Sequence, residues 1–440
     1  MVARILVLSC CLLMVAQLNA APKIQQWSTA NGAQVLFVPA MDLPMVDIQV
    51  VFDAGAARDA EQSGLALLTN GLMSEGTKKW DSNQIAERFE GVGANQGNSS
   101  HRDMSVFSLR SLTEKALLDV ALETFASIIN EPTFPQKALD RERKRLLVSL
   151  SQKKESPDAL SSDAFYQAVY SGHVYENFPE GTEASVQQIK RDDLLKFYNK
   201  YYVAANAVIA IVGAVDKTQA DAIVNQLVGQ LQQGRKAEMI KPVDGLTQSQ
   251  EVKIDFPSSQ THLLVGQPGV RRGDRDYYAL YLGNHIFGGS GLVSKLSDEI
   301  REKRGLAYSS YSYFSPMRAE GPFIMGLQTK NSSAEEALKV MRDTLVEFVK
   351  NGPSEKELLA AKRNLTGGFA LRIASNKSIV QNLAAIGFYE LPLDYLDRYI
   401  ENINAVSLAQ IKDAYQRRVH PDKMVTIIVG GDNVAQAAKN

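Results

Sequence analysis

The chain of 440 residues is 45% hydrophobic and 22% charged, with 30 Gly and 15 Pro, the profile of a folded globular protein and not of a disordered, collagenous or coiled-coil one. Lys and Arg total 48 against 49 Asp and Glu, so no bulk positive charge favours nucleic acid as a partner. The length accommodates two to four domains, each able to bury its own core.

The first segment reads as an export signal: Arg4 is the only charge before an apolar run at 5–16, followed by "QLNAAP". The run is too short to span a bilayer. Small residues at Ala20 and Ala21 predict cleavage after Ala20, a mature chain from Ala21, and a periplasmic or otherwise exported location. Cys10 and Cys11, the only cysteines, lie in the segment to be lost, so no thiol or disulfide chemistry is expected. Lipid attachment at Cys10 is the other reading, and it leaves a very short signal. No later stretch reaches the length of a membrane helix, so the mature chain is expected to lack a transmembrane segment.

Beyond the signal, "AQVLFVPA" and "MVDIQVVFDAG" are β-rich runs separated by Pro44, and "GLALLTNGLMSEG" carries apolar residues at helical spacing. "SVFSLRSL" returns to strand. Residues 114–129 form the next expected helix, with Leu117, Val120, Ala121, Phe125 and Ile128 facing inward. The polar segment "QLQQGRKAEMIKPVDGLTQSQE" carries Gly234 and Pro242 without periodicity and reads as a linker. After it, "THLLVGQPG" is a strand, "DYYALYLGNHIFG" a helix, and 292–304 a helix with Val293, Leu296 and Ile300 on one face. Gly305 supplies its left-handed cap. "FIMGLQTK" is a strand, and a further helix starts near Ser333.

Two segments repeat. "DLLKFYNKYYVAANAVIAIVGAVD" closes the first half and "QIKDAYQRRVHPDKMVTIIVGGDN" the second, and Leu194, Tyr198 and Gly213 match Ile411, Tyr415 and Gly430 at a displacement of 217 residues. The fold class is therefore α+β, a pair of homologous α/β sandwich domains without regular βαβ alternation. The boundaries are 1–20 for the signal, 21–235 and 249–440 for the domains, and 236–248 for the linker.

Local chemistry is sparse. The five histidines, His101, His173, His262, His285 and His420, include no pair within one helical turn, so no zinc motif assembles locally. A Gly-x-Ser-x-Gly elbow and a phosphate-binding Gly-x-x-x-x-Gly-Lys loop are also missing.

What the residues do carry is a resemblance. From 24 to 435 the layout is similar to that of the pitrilysin/insulinase family of zinc peptidases, in the branch of subunits that includes mitochondrial processing peptidase. Catalytic members of that family carry Gly-Leu-Ala-His-x-x-Glu-His followed by Gly-Thr, two histidines binding zinc and the Glu activating water. Here the stretch is "GLALLTNGLMSEGT". Gly64, Leu65, Ala66, Gly76 and Thr77 keep the frame, while Leu67, Asn70 and Gly71 stand where the first His, the Glu and the second His belong. The family's third ligand, a Glu, falls on Ser149, with Glu142 and Glu155 off that helix face. Leu and Gly offer no ligand and Asn is no base; the resemblance therefore implies that this chain binds no metal.

The second half keeps what the first lacks. "FGGSGLVSKLSDEIREKRGLAYSSYSYF" resembles the family signature in which an Arg ending a helix and a Tyr beginning a strand act on the scissile carbonyl; here these are Arg301 and Tyr308. Gly288, Gly289 and Gly291 match the loop preceding that helix, as weak substrate-binding candidates or as a tight turn. The combination implies a metal-free subunit of a heterodimeric metallopeptidase, a hydrolase inactive alone, whose zinc sits in a partner of the same family and whose substrates are extended peptides. A catalytically inactive scaffold or peptide-binding protein is the alternative.

Overall fold

The computed structural model describes residues 23–431; the expected signal segment, Cys10 and Cys11 lie outside the described residues. The first half builds a six-stranded sheet from β1 (Gln25–Ser28), β2 (Gln34–Pro39), β3 (Met45–Phe52), β4 (Asn95–Ser100), β5 (Ser105–Leu112) and β6 (Ala207–Gly213), in the order β1-β2-β6-β3-β5-β4. The second half builds a five-stranded sheet from β7 (Gln250–Asp255), β8 (Ser258–Val270), β9 (Ala307–Phe314), β10 (Gly321–Lys330) and β11 (Val425–Gly431), in the order β7-β11-β8-β10-β9. Each sheet holds one parallel pair, β2 with β6 and β7 with β11, among otherwise antiparallel neighbours. With β1 set aside the two orders are the same, so the 217-residue repeat is a repeated sheet topology. Gly213 ends β6 beside Pro39, and Gly430 lies opposite Asp255 near the end of β11. A Cβ at Gly213 would sit 2.4 Å from the Met45 carbonyl oxygen, so close backbone approach explains that glycine.

The sheets are covered on both faces, which is why β6 is buried at every position. One face of the first sheet packs against its own half's helices through Val35, Phe37, Ile48, Val50 and Ile209. The other face, with Leu36, Val38, Val208, Ala210 and Val212, meets the helix Asn376–Phe388 of the second half. Reciprocally, the helix Pro157–Val169 of the first half lies on β8 and β11 of the second sheet through Ala164, Phe165 and Val169. The two halves therefore exchange equivalent helices. The expected pair of sandwiches is correct in its strands, but each sandwich is completed by the other half.

Between Val228 and Gln250 no regular helix or strand forms, where the linker is expected. The segment is docked rather than free: Ile240 is buried, the Ala237 amide donates to Asn206 Oδ1 (3.1 Å), and the Val243 amide to Glu320 Oε2 (2.8 Å). The helix expected at 114–129 is Lys115–Asn130, and its inner face includes Leu118 and Leu122 in place of the half-buried Leu117 and Val120. A helix at 292–304 is found only in pieces. A 3-10 turn at Gly291–Val293 precedes an α-turn at Lys295–Ser297 and a π-turn at Asp298–Glu302. Leu296 and Ile300 are buried as expected, but Val293 is 86% exposed, because helical hydrogen bonding starts only after the Ser294 cap.

Candidate functional site

The frame of the degenerate motif is retained for structural reasons. Gly64 has φ +95° at the start of the helix Leu65–Leu72, a conformation that suits glycine. Leu65 and Ala66 are buried. The helix N-terminus is capped from outside by buried Asp59, whose carboxyl oxygens accept from the amides of Gly64 (2.9 Å) and Ala66 (2.7 Å). Burial pushes the Asp59 carboxyl up to about 8, against the two amide bonds that favour the charged form. A Cβ at Gly76 would sit 2.8 Å from Pro135 Cγ, and the buried Thr77 accepts from the Trp80 amide at 3.1 Å.

The positions of the missing ligands do come together. Leu67, Gly71 and Ser149 line one cavity of about 320 Å³, with Leu68, Leu72 and Leu146. Asn70 turns away from it: it is buried, donates to Ser105 Oγ at 2.7 Å, and Ser105 is in turn bonded to Tyr202 OH at 2.9 Å. The position of the water-activating Glu has become part of a buried polar chain. Glu142, expected off the ligand face, lines the same cavity together with Arg145 and Ser149; positions 142, 145, 146 and 149 share one side of the helix Gln136–Lys153. Its carboxylate is held by Arg141 (2.9 Å) and Arg145 (3.0 Å), and Glu75 on the cavity wall pairs with Arg141. Among the described residues no group of three or more His, Cys, Asp or Glu is placed to hold a metal ion. The donor set does not fit zinc, and no metal-dependent step follows from this chain's own residues.

In the second half the π-turn Asp298–Glu302 ends at Gly305 (φ +63°), where the amides of Gly305 and Leu306 bond the carbonyls of Arg301 and Ile300, each at 2.9 Å. The chain then enters β9, an edge strand. Leu327 pairs with Ser310 but Thr329 pairs with Ala307, so Tyr308 and Ser309 together oppose Gln328. This β-bulge breaks the alternation and leaves Tyr308 and Ser309 both exposed, Tyr308 by 84%. The Arg301 guanidinium lies over the Tyr308 ring at 4.9 Å, with Glu302 3.6 Å away. Both residues line an open cavity of about 530 Å³ with Gln260, Ser309, Gln328 and Lys330.

The three glycines do not line that cavity. Gly288 is buried in a π-turn, His285–Gly289, where a Cβ would sit 2.3 Å from Ser312 Oγ and 2.8 Å from Leu296 Cδ1. Close packing explains Gly288, and a buried residue offers a peptide no surface. Gly289 and Gly291 are exposed, Gly291 with φ +63°.

The fold and the degenerate motif define a peptidase-like two-sheet protein stripped of its metal ligands. Family models match "Insulinase (Peptidase family M16)" over residues 39–182 and "Peptidase M16 inactive domain" over 188–365. A crystal structure of a peptidase M16 inactive domain from Pseudomonas fluorescens is 42% identical, with a TM-score of 0.90, covering 92% of this chain and 97% of that one. The uncharacterized zinc protease YmxG of Bacillus subtilis is 24% identical over 93% of this chain and 99% of its own length. The non-peptidase homolog YmxG of Helicobacter pylori is 28% identical over 88% and 89%. The chain belongs to the M16, or insulinase, family of peptidases. It is a homologue of the kind that has lost the metal-binding groups.

Proposed function

We propose that the chain is the metal-free subunit of an exported, periplasmic heterodimeric zinc metallopeptidase, and that it lends Arg301 and Tyr308 to the active site of its partner. One observation carries this reading. The first-half cavity has Leu67, Gly71 and Ser149 where ligands belong, while Arg301 and Tyr308 stand together over an open cavity at a bulge that directs the tyrosine outward. A guanidinium and a phenol are donors suited to a carbonyl oxygen on which negative charge develops. A partner of the same family supplies zinc and the water-activating Glu; an extended peptide is the substrate.

The reading is tested by isolating the chain from its native periplasm with whatever it binds. A partner of similar size with an intact His-x-x-Glu-His motif and about one zinc per pair supports it. In the isolated pair, Arg301→Ala lowers peptide turnover by about 2 to 4 kcal/mol of transition-state stabilisation, the loss of one such donor. Unchanged turnover in a pair that still assembles favours instead a scaffold or peptide-binding protein.

A further inference from the structure

The cavity beside Arg301 and Tyr308 carries charge of one sign. Arg301 and Lys330 line it, and no Asp or Glu does. Lys330 ends β10 opposite Gln260 of β8, is exposed, and has no ion-pair partner within 4.0 Å among the described residues. Arg301 has only Glu302 at 3.6 Å, and that side chain is 57% exposed, so solvent screens the pair. The other acids of the same turn are engaged elsewhere, Asp298 with Lys303 at 2.9 Å and Glu299 with Lys303 and Arg304, each at 2.6 Å. Both, with Glu302, line a separate groove of about 650 Å³ in which acids and the bases Lys295, Lys303 and Arg304 are mixed. The cavity beside Tyr308 has bases alone among its lining charges, and it also offers the Tyr308 and Ser309 hydroxyls and the Gln260 and Gln328 amides.

A carboxylate entering this cavity meets two lining cations and neutral donors, the nearest acids, Glu302 beside Arg301 and Asp158 near Tyr311, standing outside the lining; a lysine side chain meets two like charges and no lining acid. The volume exceeds what one side chain fills, so a backbone carbonyl and an adjacent acidic side chain fit together. We propose that the cavity selects peptides carrying an acidic side chain beside the carbonyl contacted by Arg301 and Tyr308, with Lys330 as the residue that sets this preference. The inference deepens the function proposed above and rests on it for a peptide at this site.

The test uses the full mature chain and fluorescein-labelled decapeptides with amidated C-termini, identical except for Glu, Gln or Lys at the centre, followed by fluorescence anisotropy. A further Gln peptide with a free C-terminal carboxylate separates the two sources of the anion. The Glu peptide is expected to bind about tenfold more tightly than the Gln peptide at low salt, the gap closing as salt is raised. Lys330→Gln is expected to reduce the gap to about threefold or less. Equal affinities for Glu and Gln, no binding of either, preferred binding of the free C-terminus, or an undiminished gap in Lys330→Gln each overturns the proposal. If Arg301→Ala still lowers turnover of the isolated pair while Glu and Gln bind alike, the selectivity alone fails. If the acid preference depends on Lys330 but turnover ignores Arg301, the peptidase-subunit reading fails and the acidic-peptide site stands.

Discussion

Asp59 shows how one residue ties the vanished chemistry to the stability of its scaffold. It caps the helix that carries Leu67, Asn70 and Gly71, and its carboxyl is raised by burial from 3.8 to about 8. An acid whose folded value is raised contributes stability that is fully present below the unfolded value and is lost as pH rises through the folded one. Unfolding free energy should therefore fall between about pH 4 and pH 8 on account of Asp59. His101, His262 and His285, lowered by burial, act in the opposite sense below their ordinary value of 6.5, so the cleanest window is pH 6.5 to 8. Denaturant midpoints there should decline in the wild type more steeply than in Asp59→Asn; parallel slopes would show that Asp59 is not protonated in the fold. At Gly288 the argument is steric. Gly288→Ala forces a methyl within 2.3 Å of Ser312 Oγ and 2.8 Å of the Ser312 amide, and should cost about 1 to 3 kcal/mol in chemical denaturation.

At the scale of the element, the exchanged helices decide how the halves cohere. Phe165 of the helix Pro157–Val169 is fully buried, and its ring lies so close to Gly266 of β8 that a Cβ there would meet it at 2.9 Å. Gly387 plays the matching part on the helix Asn376–Phe388, where a Cβ would come within 2.5 Å of Val208 and 2.6 Å of Leu36 on the first sheet. In one contact the glycine is on the sheet, in the other on the helix, and in both it lets the layers approach. Phe165→Ala should destabilise the protein by about 3 to 5 kcal/mol, and hydrogen exchange should report the loss on β8 and β11, in the opposite half. Protection lost only within the first half would contradict this packing.

For the whole molecule, a buried polar network crosses between the halves. Asp103 accepts from Tyr175 OH (2.6 Å), Tyr389 OH (3.2 Å) and the Arg318 amide (2.8 Å), and the Arg318 guanidinium reaches Asp53 at 3.3 Å while donating to the Phe388 carbonyl at 2.9 Å. Burial raises the Asp103 carboxyl despite these donors. Arg318→Ala takes one of two cations from Asp53, which keeps Arg58 at 2.7 Å, and a donor from the buried end of the Phe388 helix, and should cost about 1 to 3 kcal/mol. With the helix exchange and the docked linker, the network predicts one cooperative unfolding transition by calorimetry, and fragments 21–235 and 249–440 that do not fold separately. Two resolved transitions, or a soluble folded fragment, would show the halves to be independent.

Much of this architecture is legible in local order, because a strand or helix face needs only the period of its own apolar residues. That Leu67, Asn70 and Gly71 stand at ligand positions is legible only through the family resemblance, while the β-rich runs and the repeat through Leu194, Tyr198 and Gly213 are of that kind. So is the Gly305 cap that joins Arg301 to the strand bearing Tyr308. Other features depend on contacts between residues far apart in the chain. The reciprocal helices look like ordinary amphipathic segments until their partners are known. The bulge at Tyr308 and Ser309 exists only relative to β10, and Lys330 joins Arg301 because the end of β10 pairs beside the start of β9. Asn70 could be read as a lost base from its position alone, but its place in a chain with Ser105 and Tyr202 required the sheet to bring them together. Sequence determined which chemistry this protein lacks; the tertiary structure decided which groups face one another, because burial and pairing are set by distances through space.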